Sequence, residues 1–93
     1  MALFFEWDEG KSKLNLIKHG IAFEEASTVF KDISSITIDD PLHSTDENRF
    51  IIMGYSYSNR LLVVVHTERR DYIRIISARL ATKRERKVYE EKE

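Results

Sequence analysis

RLLVVVHTERRDYIRIISARL, residues 60–80, is the stretch that decides the fold. Leu61-Leu62-Val63-Val64-Val65-His66 is apolar at successive positions and rich in β-branched residues. Such a run has no polar face, so it predicts a strand covered on both sides, in the middle of a sheet. Arg70-Asp71 interrupts it as a tight turn, and residues 72–80 form a second strand. Two strands joined this closely must run antiparallel.

The pattern extends outward from this hairpin. Residues 49–57 read as a strand that ends at the turn Ser58-Asn59. Ile36 and Ile38 alternate with Ser35, Thr37 and Asp39, which is period two and therefore another strand. Asp39-Asp40-Pro41 opens a loop that lasts to about residue 46. Leu3-Phe4-Phe5-Glu6 predicts a short first strand. Between these strands the period is helical. Asp8 is placed to cap a helix ending near His19, where Lys18 and His19 suit the negative end of the dipole and Gly20 stops it. Leu14 and Ile17 supply that helix with an apolar stripe to bury. A second helix is expected over residues 23–31, with Phe23, Ala26 and Phe30 on one face and Glu24 and Glu25 near its positive end. Thr82 to about residue 90 reads as a terminal helix, opened by a capping box between Thr82 and Glu85. The order is β-α-α-β-β-β-β-α. The expected fold class is α+β, a twisted antiparallel sheet with two N-terminal helices packed on one face and a short C-terminal helix.

Composition narrows the function classes. Ninety-three residues suit a single domain, 1–93. There is no cysteine, which removes disulfides and thiolate metal sites and fits a cytoplasmic protein. No apolar run approaches the roughly 20 residues of a membrane span, and the N-terminus has no signal-peptide pattern, so no membrane partner is expected. The net charge of −1 conceals a division. Residues 1–47 carry four Lys/Arg against ten Asp/Glu, and residues 48–93 carry eleven against six. Residues 69–87 alone hold eight basic and two acidic side chains. The basic half suits a polyanion. Mutual attraction of the two halves, or simple solvation, accounts for it equally well.

Four segments, FEWDEGKSKLNLIKHGIAFEEA (5–26), RFIIMGYS (49–56), RLLVVVHTER (60–69) and RIISARLATKRERKVYEE (74–91), resemble in order and spacing the BrnT family of toxins. The resemblance covers nearly the whole chain. It implies a RelE-like fold, RNA cleavage without a metal ion or other cofactor, and growth arrest. It also implies a cognate BrnA-like antitoxin, a ribbon-helix-helix dimer that binds DNA and masks the toxin's basic face, so that DNA is met only through that partner. The family pattern has a small polar residue where Ala22 stands, so a helix cap is missing here.

The residues offer independent support for such chemistry. His19, His43 and His66 sit on separate elements without metal-ligand spacing, and there is no Gly-rich phosphate loop. RNA cleavage needs neither, because the 2′-hydroxyl is the nucleophile. The protein must position the phosphate, move protons and stabilise charge. The candidate catalytic residues are His66, Glu68, Arg79 and Tyr89; the candidate RNA contacts are Arg69, Arg70, Arg74, Lys83 and Arg84. His66 can act as acid or base, or be a hydrogen-bonded strand-end histidine. Glu68 is a base, or the partner of a neighbouring arginine. Strict alternation through Ile73, Ile75, Ser77 and Arg79 puts Arg79 on the isoleucine face. There its fork either holds a phosphate or closes a buried pair with Glu6, Asp8 or another acid. Arg74 falls on the opposite face. Lys83 and Arg84 occupy a first helical turn, where positive charge is unfavourable unless a phosphate is bound. Tyr89 stacks on a base, donates a proton, or anchors the last helix. The leading expectation is an endoribonuclease, and the alternative is a nonenzymatic RNA- or DNA-binding module.

Overall fold

The structure is a computed structural model and describes residues 3–40 and 48–92. The elements run β1 (Phe4–Glu6), α1 (Glu9–His19), α2 (Phe23–Ser27) with a 3₁₀ turn (Thr28–Lys31), β2 (Ile36–Asp39), β3 (Arg49–Tyr55), β4 (Leu61–Arg69), β5 (Tyr72–Leu80) and α3 (Lys83–Glu91). Pro41, His43 and the rest of the expected 41–46 loop lie outside the described residues. One five-stranded sheet has the order β1-β5-β4-β3-β2, which puts the apolar β4 at its centre. β2 to β5 form the antiparallel meander that short turns dictate. β1 differs: it joins the edge of β5 in parallel, as a strand can when helices and the rest of the sheet intervene between the two.

Local chemistry sets the element ends. Asp8 accepts from Lys11 N at 3.0 Å at the start of α1. Gly20 ends it at φ +72°, giving its N–H to Leu16 O at 2.8 Å. Asn59 and Arg70 take the positive φ values that the two hairpin turns require. Ala22 supplies no side-chain cap, as its apolar side chain dictates. The second helix tightens at residue 28, because Ser27 and Thr28 turn their hydroxyls back onto Glu24 O and Glu25 O at 2.7 Å each and compete with α-helical bonding.

One sheet face, here the closed face, carries Ile52, Leu62, Val64, Ile75 and Ala78 against Ile21, Phe23, Ala26 and Val29. α1 lies over β5 on this side, but not as its apolar stripe predicts. Leu14 and Ile17 are 67% and 81% exposed, and the residues it buries are Ser12 and Asn15. The reason is a backbone demand. Asn15 Nδ2 donates to Ile21 O and Ala78 O at 2.9 Å each, and Ala78 N donates to Asn15 Oδ1 at 3.2 Å. Those buried peptide groups have to be satisfied, and one amide does it by turning the polar side of α1 inward. A second polar tie is Glu25, buried in α2. It accepts from Ser56 Oγ at 2.6 Å and takes the Arg60 guanidinium through both oxygens, which holds its carboxyl below the usual range.

The opposite face, the open face, carries Met53, Leu61 and Val63, with α3 resting on one end through Tyr89. Tyr89 stands edge-on to Tyr55 and gives its hydroxyl to Asp32 Oδ2 at 2.5 Å. Asp32 is a hub, also accepting from Tyr55 N and Ser34 N at 2.8 and 2.9 Å. Gly54 makes this junction possible: a Cβ there would meet Asp32 Oδ2, Ser35 Cβ and Val29 O at 3.2 Å.

Candidate nucleic-acid interface

Alternation along β4 assigns each side chain to a face. Leu62, Val64, His66 and Glu68 face α1 and α2; Leu61, Val63, Val65, Thr67 and Arg69 face the open side. β5 carries one extra residue. Val65 pairs with Ser77 but His66 pairs with Ile75, so Ile76 is a bulge. The bulge breaks the strict alternation expected for this strand. Ile73 and Ile75 stay on the closed face, whereas Arg79, opposite Val63, is carried to the open face. Arg79 therefore sits apart from both isoleucines.

The expected catalytic residues thereby separate. His66 is 1% exposed, with the edge of Phe30 at 4.8 Å and the face of Phe50 at 5.7 Å between ring centroids. Neither ring nitrogen has a hydrogen-bond partner among the described residues. Nε2 is 3.5 Å from Glu68 Oε2, an ion-pair separation too long for a hydrogen bond. Burial lowers the His66 pKa and outweighs the opposing pull of Glu68, so the ring is neutral at pH 7. In this conformation no phosphate oxygen can reach it. Tyr89 is buried on the other face. Burial first, then the Asp32 carboxylate, pushes its pKa up to about 12, and Lys92 lies 3.5 Å over its ring. It anchors α3. Arg79 forks onto Glu85 with Nη1–Oε1 and Nη2–Oε2 both 2.8 Å, which keeps the guanidinium firmly charged. The acid that pairs with it is thus neither Glu6 nor Asp8.

Glu85 also closes the capping box that the sequence shows: Thr82 N donates to its Oε1 at 2.8 Å, and Glu85 N donates to Thr82 Oγ1 at 3.1 Å. These bonds occupy two of the donors a phosphate would want at the α3 N-terminus, and a carboxylate already stands there. Lys83 projects outward. Arg84 joins Arg79, Ile36, Ile51, Met53 and Val88 around a largely apolar groove of about 340 Å³ between α3 and the β2–β3 edge.

The remaining arginines converge on the other end of the open face. Register across the strands runs Arg49–Thr67–Arg74–Glu6 in one row and Arg69–Tyr72–Phe4 in the next. Arg74 Nη1 and Arg69 Nη1 approach the same Glu6 oxygen at 3.4 and 3.7 Å. Their side chains are 30% and 50% exposed, so both are presented to solvent. Between Arg49 and Arg74 lies Thr67, 1% exposed, whose hydroxyl has no hydrogen-bond partner among the described residues. Like the His66 ring nitrogens, this hydroxyl is closed off from solvent, so the polar groups presented on this end of the face are the guanidiniums and Glu6. Arg70 stands in the β4–β5 turn beside these rows. Thr67 and Arg49 are not singled out by the sequence, and Glu6 is expected there only as a partner of Arg79. Only the register, which no local pattern reveals, brings them beside Arg69 and Arg74. Among the described residues no three acidic or histidine side chains gather so as to hold a metal ion.

A family model described as the ribonuclease toxin BrnT of type II toxin–antitoxin systems matches residues 7–85. Among solved structures, the 1.1 Å crystal structure of the Brucella abortus ribonuclease toxin BrnT aligns with a TM-score of 0.67 and 21% identity, covering 88% of this chain and 100% of that one. At that identity the likeness concerns the fold, and the α+β architecture with its element order is shared. No curated protein matches.

Proposed function

From the premise that this chain belongs to the BrnT family of ribonuclease toxins of type II toxin–antitoxin systems, we propose that it is an endoribonuclease that cuts RNA through the 2′-hydroxyl, without a metal ion. Membership implies RNA as substrate and a protein antitoxin as partner. The observation that carries the finer reading is the arginine pair on the open face, Arg69 and Arg74 on one carboxylate oxygen and both presented to solvent. A phosphodiester presents two anionic non-bridging oxygens where Glu6 presents its carboxylate oxygens, and guanidinium forks suit both. Held there, its phosphorus receives the neighbouring 2′-oxygen, and the guanidiniums stabilise the charge that grows on the phosphorane. Glu6, in contact with both arginines, takes the 2′-hydroxyl proton. The 5′-oxygen leaves with a proton from solvent, and the product is a 2′,3′-cyclic phosphate. Arg70 in the β4–β5 turn, and Lys83 and Arg84 on α3 at the far end of the face, add basic charge beyond this pair, and the strength of binding falls with salt accordingly. On this reading His66 is a core side chain with Glu68 its exposed neighbour, Tyr89 anchors α3, and Arg79 holds α3 at the margin of the site.

The antitoxin, of the BrnA ribbon-helix-helix type on the family resemblance, covers this arginine face in the cytoplasm, and unmasked toxin arrests growth. The test is incubation of the pure protein with defined RNA in excess chelator, followed by analysis of product ends. Cleavage persists, and the products end in a cyclic phosphate or its 3′-phosphate hydrolysis product. Activity lost in chelator and restored by magnesium, or cleavage of an all-DNA strand, would overturn the reading. Binding with no product would leave a nonenzymatic module.

A further inference from the structure

The first strand is only three residues long, yet it carries two phenylalanines with opposite fates. Phe5 packs into the core, its ring 5.3 Å from that of Phe30. Phe4 points to the open face and is 53% exposed. Its register partner Tyr72 is 48% exposed, and the two rings lie 5.8 Å apart at 42°. Tyr72 is in register with Arg69 on its other side, and Phe4 is followed on the same face by Glu6, the carboxylate between Arg69 and Arg74. Beside the pair a surface cleft of about 540 Å³ opens, lined by Leu3, Phe4, Arg70 and Tyr72 and also by the carboxylates Glu68 and Asp71, so the backbone charge of an RNA has to lie on the Arg69–Arg74 side and only the uncharged base on the rings. That volume lies within the range of about 300–1,000 Å³ typical of small-molecule sites.

We propose that Phe4 and Tyr72 form a stacking platform for an unpaired RNA base next to the phosphate held by Arg69 and Arg74. This rests on the ribonuclease reading above and adds to it a requirement for single-stranded substrate. Two half-exposed aromatic rings at a sheet end lose apolar burial and gain little from each other beyond a cross-strand contact. A nucleobase restores that burial, since every base presents a π-face of the right size. The guanidiniums alongside take the backbone charge, so one nucleotide is gripped at both ends. In a duplex the base faces are already stacked and cannot reach the platform. Stacking tolerates any base, so the platform selects for strandedness and position, while sequence preference has to arise elsewhere.

The probe is a short single-stranded 2′-O-methyl RNA, which lacks the nucleophile and so reports binding without cleavage. Its affinity is measured for wild type and for the Phe4→Ala/Tyr72→Ala double variant by fluorescence anisotropy. A roughly 10–100-fold loss is expected in the variant. Phe4→Trp should retain affinity and show quenching of the new indole on binding. A Phe4→Ile/Tyr72→Val variant, which keeps strand propensity without a π-face, replaces the alanine pair if that pair unfolds. In the wild-type protein, an abasic site walked along the probe should weaken binding sharply at one position, and the same walk in the double variant should be flat. Equal affinity of wild type and a folded double variant, or a flat abasic walk in wild type, would overturn the platform. Those results with cleavage of ordinary RNA intact leave the ribonuclease reading standing. A wild-type protein that neither binds nor cleaves RNA removes both.

Discussion

The two faces of one sheet are built on opposite principles. The closed face is largely apolar and covered by the helices, and its buried polar groups are tied internally: Asn15 serves the backbone of Ile21 and Ala78, and Glu25 holds the side chains of Ser56 and Arg60. The open face is covered only at one end, where α3 is held by Tyr89 on Asp32, Arg79 on Glu85, and Arg86 Nη1 on the Tyr55 hydroxyl at 3.1 Å. Its other end shows arginines and aromatic rings to solvent. The division runs through single strands, so a residue's role follows from which face it lands on more than from its chemical type. Histidine, the ordinary proton carrier near neutral pH, is buried on the face that substrate cannot reach; Arg69, Arg74 and Glu6 land on the face that it can.

The sharpest way to break this comparison is to remove one side chain from each face and measure cleavage and melting on the same samples. Arg74→Ala on the open face should lower the cleavage rate by roughly 10²–10³, the scale of a lost oxyanion-type contact, while thermal unfolding stays close to wild type. His66→Leu on the closed face should do the reverse. Its ring nitrogens have no partners to strand, so an apolar replacement of similar size leaves stability unchanged or higher and cleavage within about twofold. A folded His66→Leu protein with no activity would end the assignment of the site to the open face.

The next effect lies wholly on the closed face. Asn15→Ala removes three hydrogen bonds and leaves Ala78 N, Ala78 O and Ile21 O buried without their partner. Stability should fall by about 3 kcal/mol, within the range for stranding buried polar groups, and specific activity per folded molecule should hold. Denaturant titration measures the first and cleavage below the transition the second. A loss under about 0.5 kcal/mol would mean that water replaces the amide, and that α1 is not fastened as described.

Much of this architecture is legible from residues 60–80 and from the caps. Five consecutive apolar residues, three of them β-branched and closed by turns at both ends, point to a central strand, and Asp8, Gly20 and the Thr82–Glu85 box act through bonds that span four residues or fewer. What fails is anything that depends on a partner far along the chain. The bulge at Ile76 shows only as the doublet Ile75-Ile76, where the apolar phase moves from 73 and 75 to 76, 78 and 80; strict alternation passes over it, yet it decides the face of Arg79. Leu14 and Ile17 look like a buried stripe because helical spacing is blind to Asn15, whose value lies in a carbonyl 63 residues away. The parallel docking of β1 is hidden likewise, and with it the meeting of Glu6 with Arg69 and Arg74. The candidate site was therefore half visible: its arginines stand out as charge, and its geometry does not.

The smallest expected effect tests the clasp that joins the open face to α3. Arg79 first, and the Thr82 cap after it, lower the Glu85 carboxyl to about 2 from its ordinary 4.5. A folded pKa below the unfolded one means that the ionised group contributes stability above about 4.5. That contribution is lost as pH falls from 4.5 toward 2, because the unfolded chain takes up the proton first. The pair is partly open to solvent, with side chains 43% and 32% exposed, so screening reduces its contribution to about 1 kcal/mol. Wild type should accordingly lose about 1 kcal/mol more than Glu85→Gln between pH 6 and pH 3, as read from urea midpoints, and the two proteins should converge near pH 2. Salt should shrink the difference, as it does for exposed pairs. Arg79→Ala should show the same reduced pH dependence, because it removes the partner that depresses the carboxyl. Parallel pH profiles for wild type and Glu85→Gln would show that the fork contributes nothing net, and that α3 is held by Tyr89 on Asp32 and Arg86 on Tyr55.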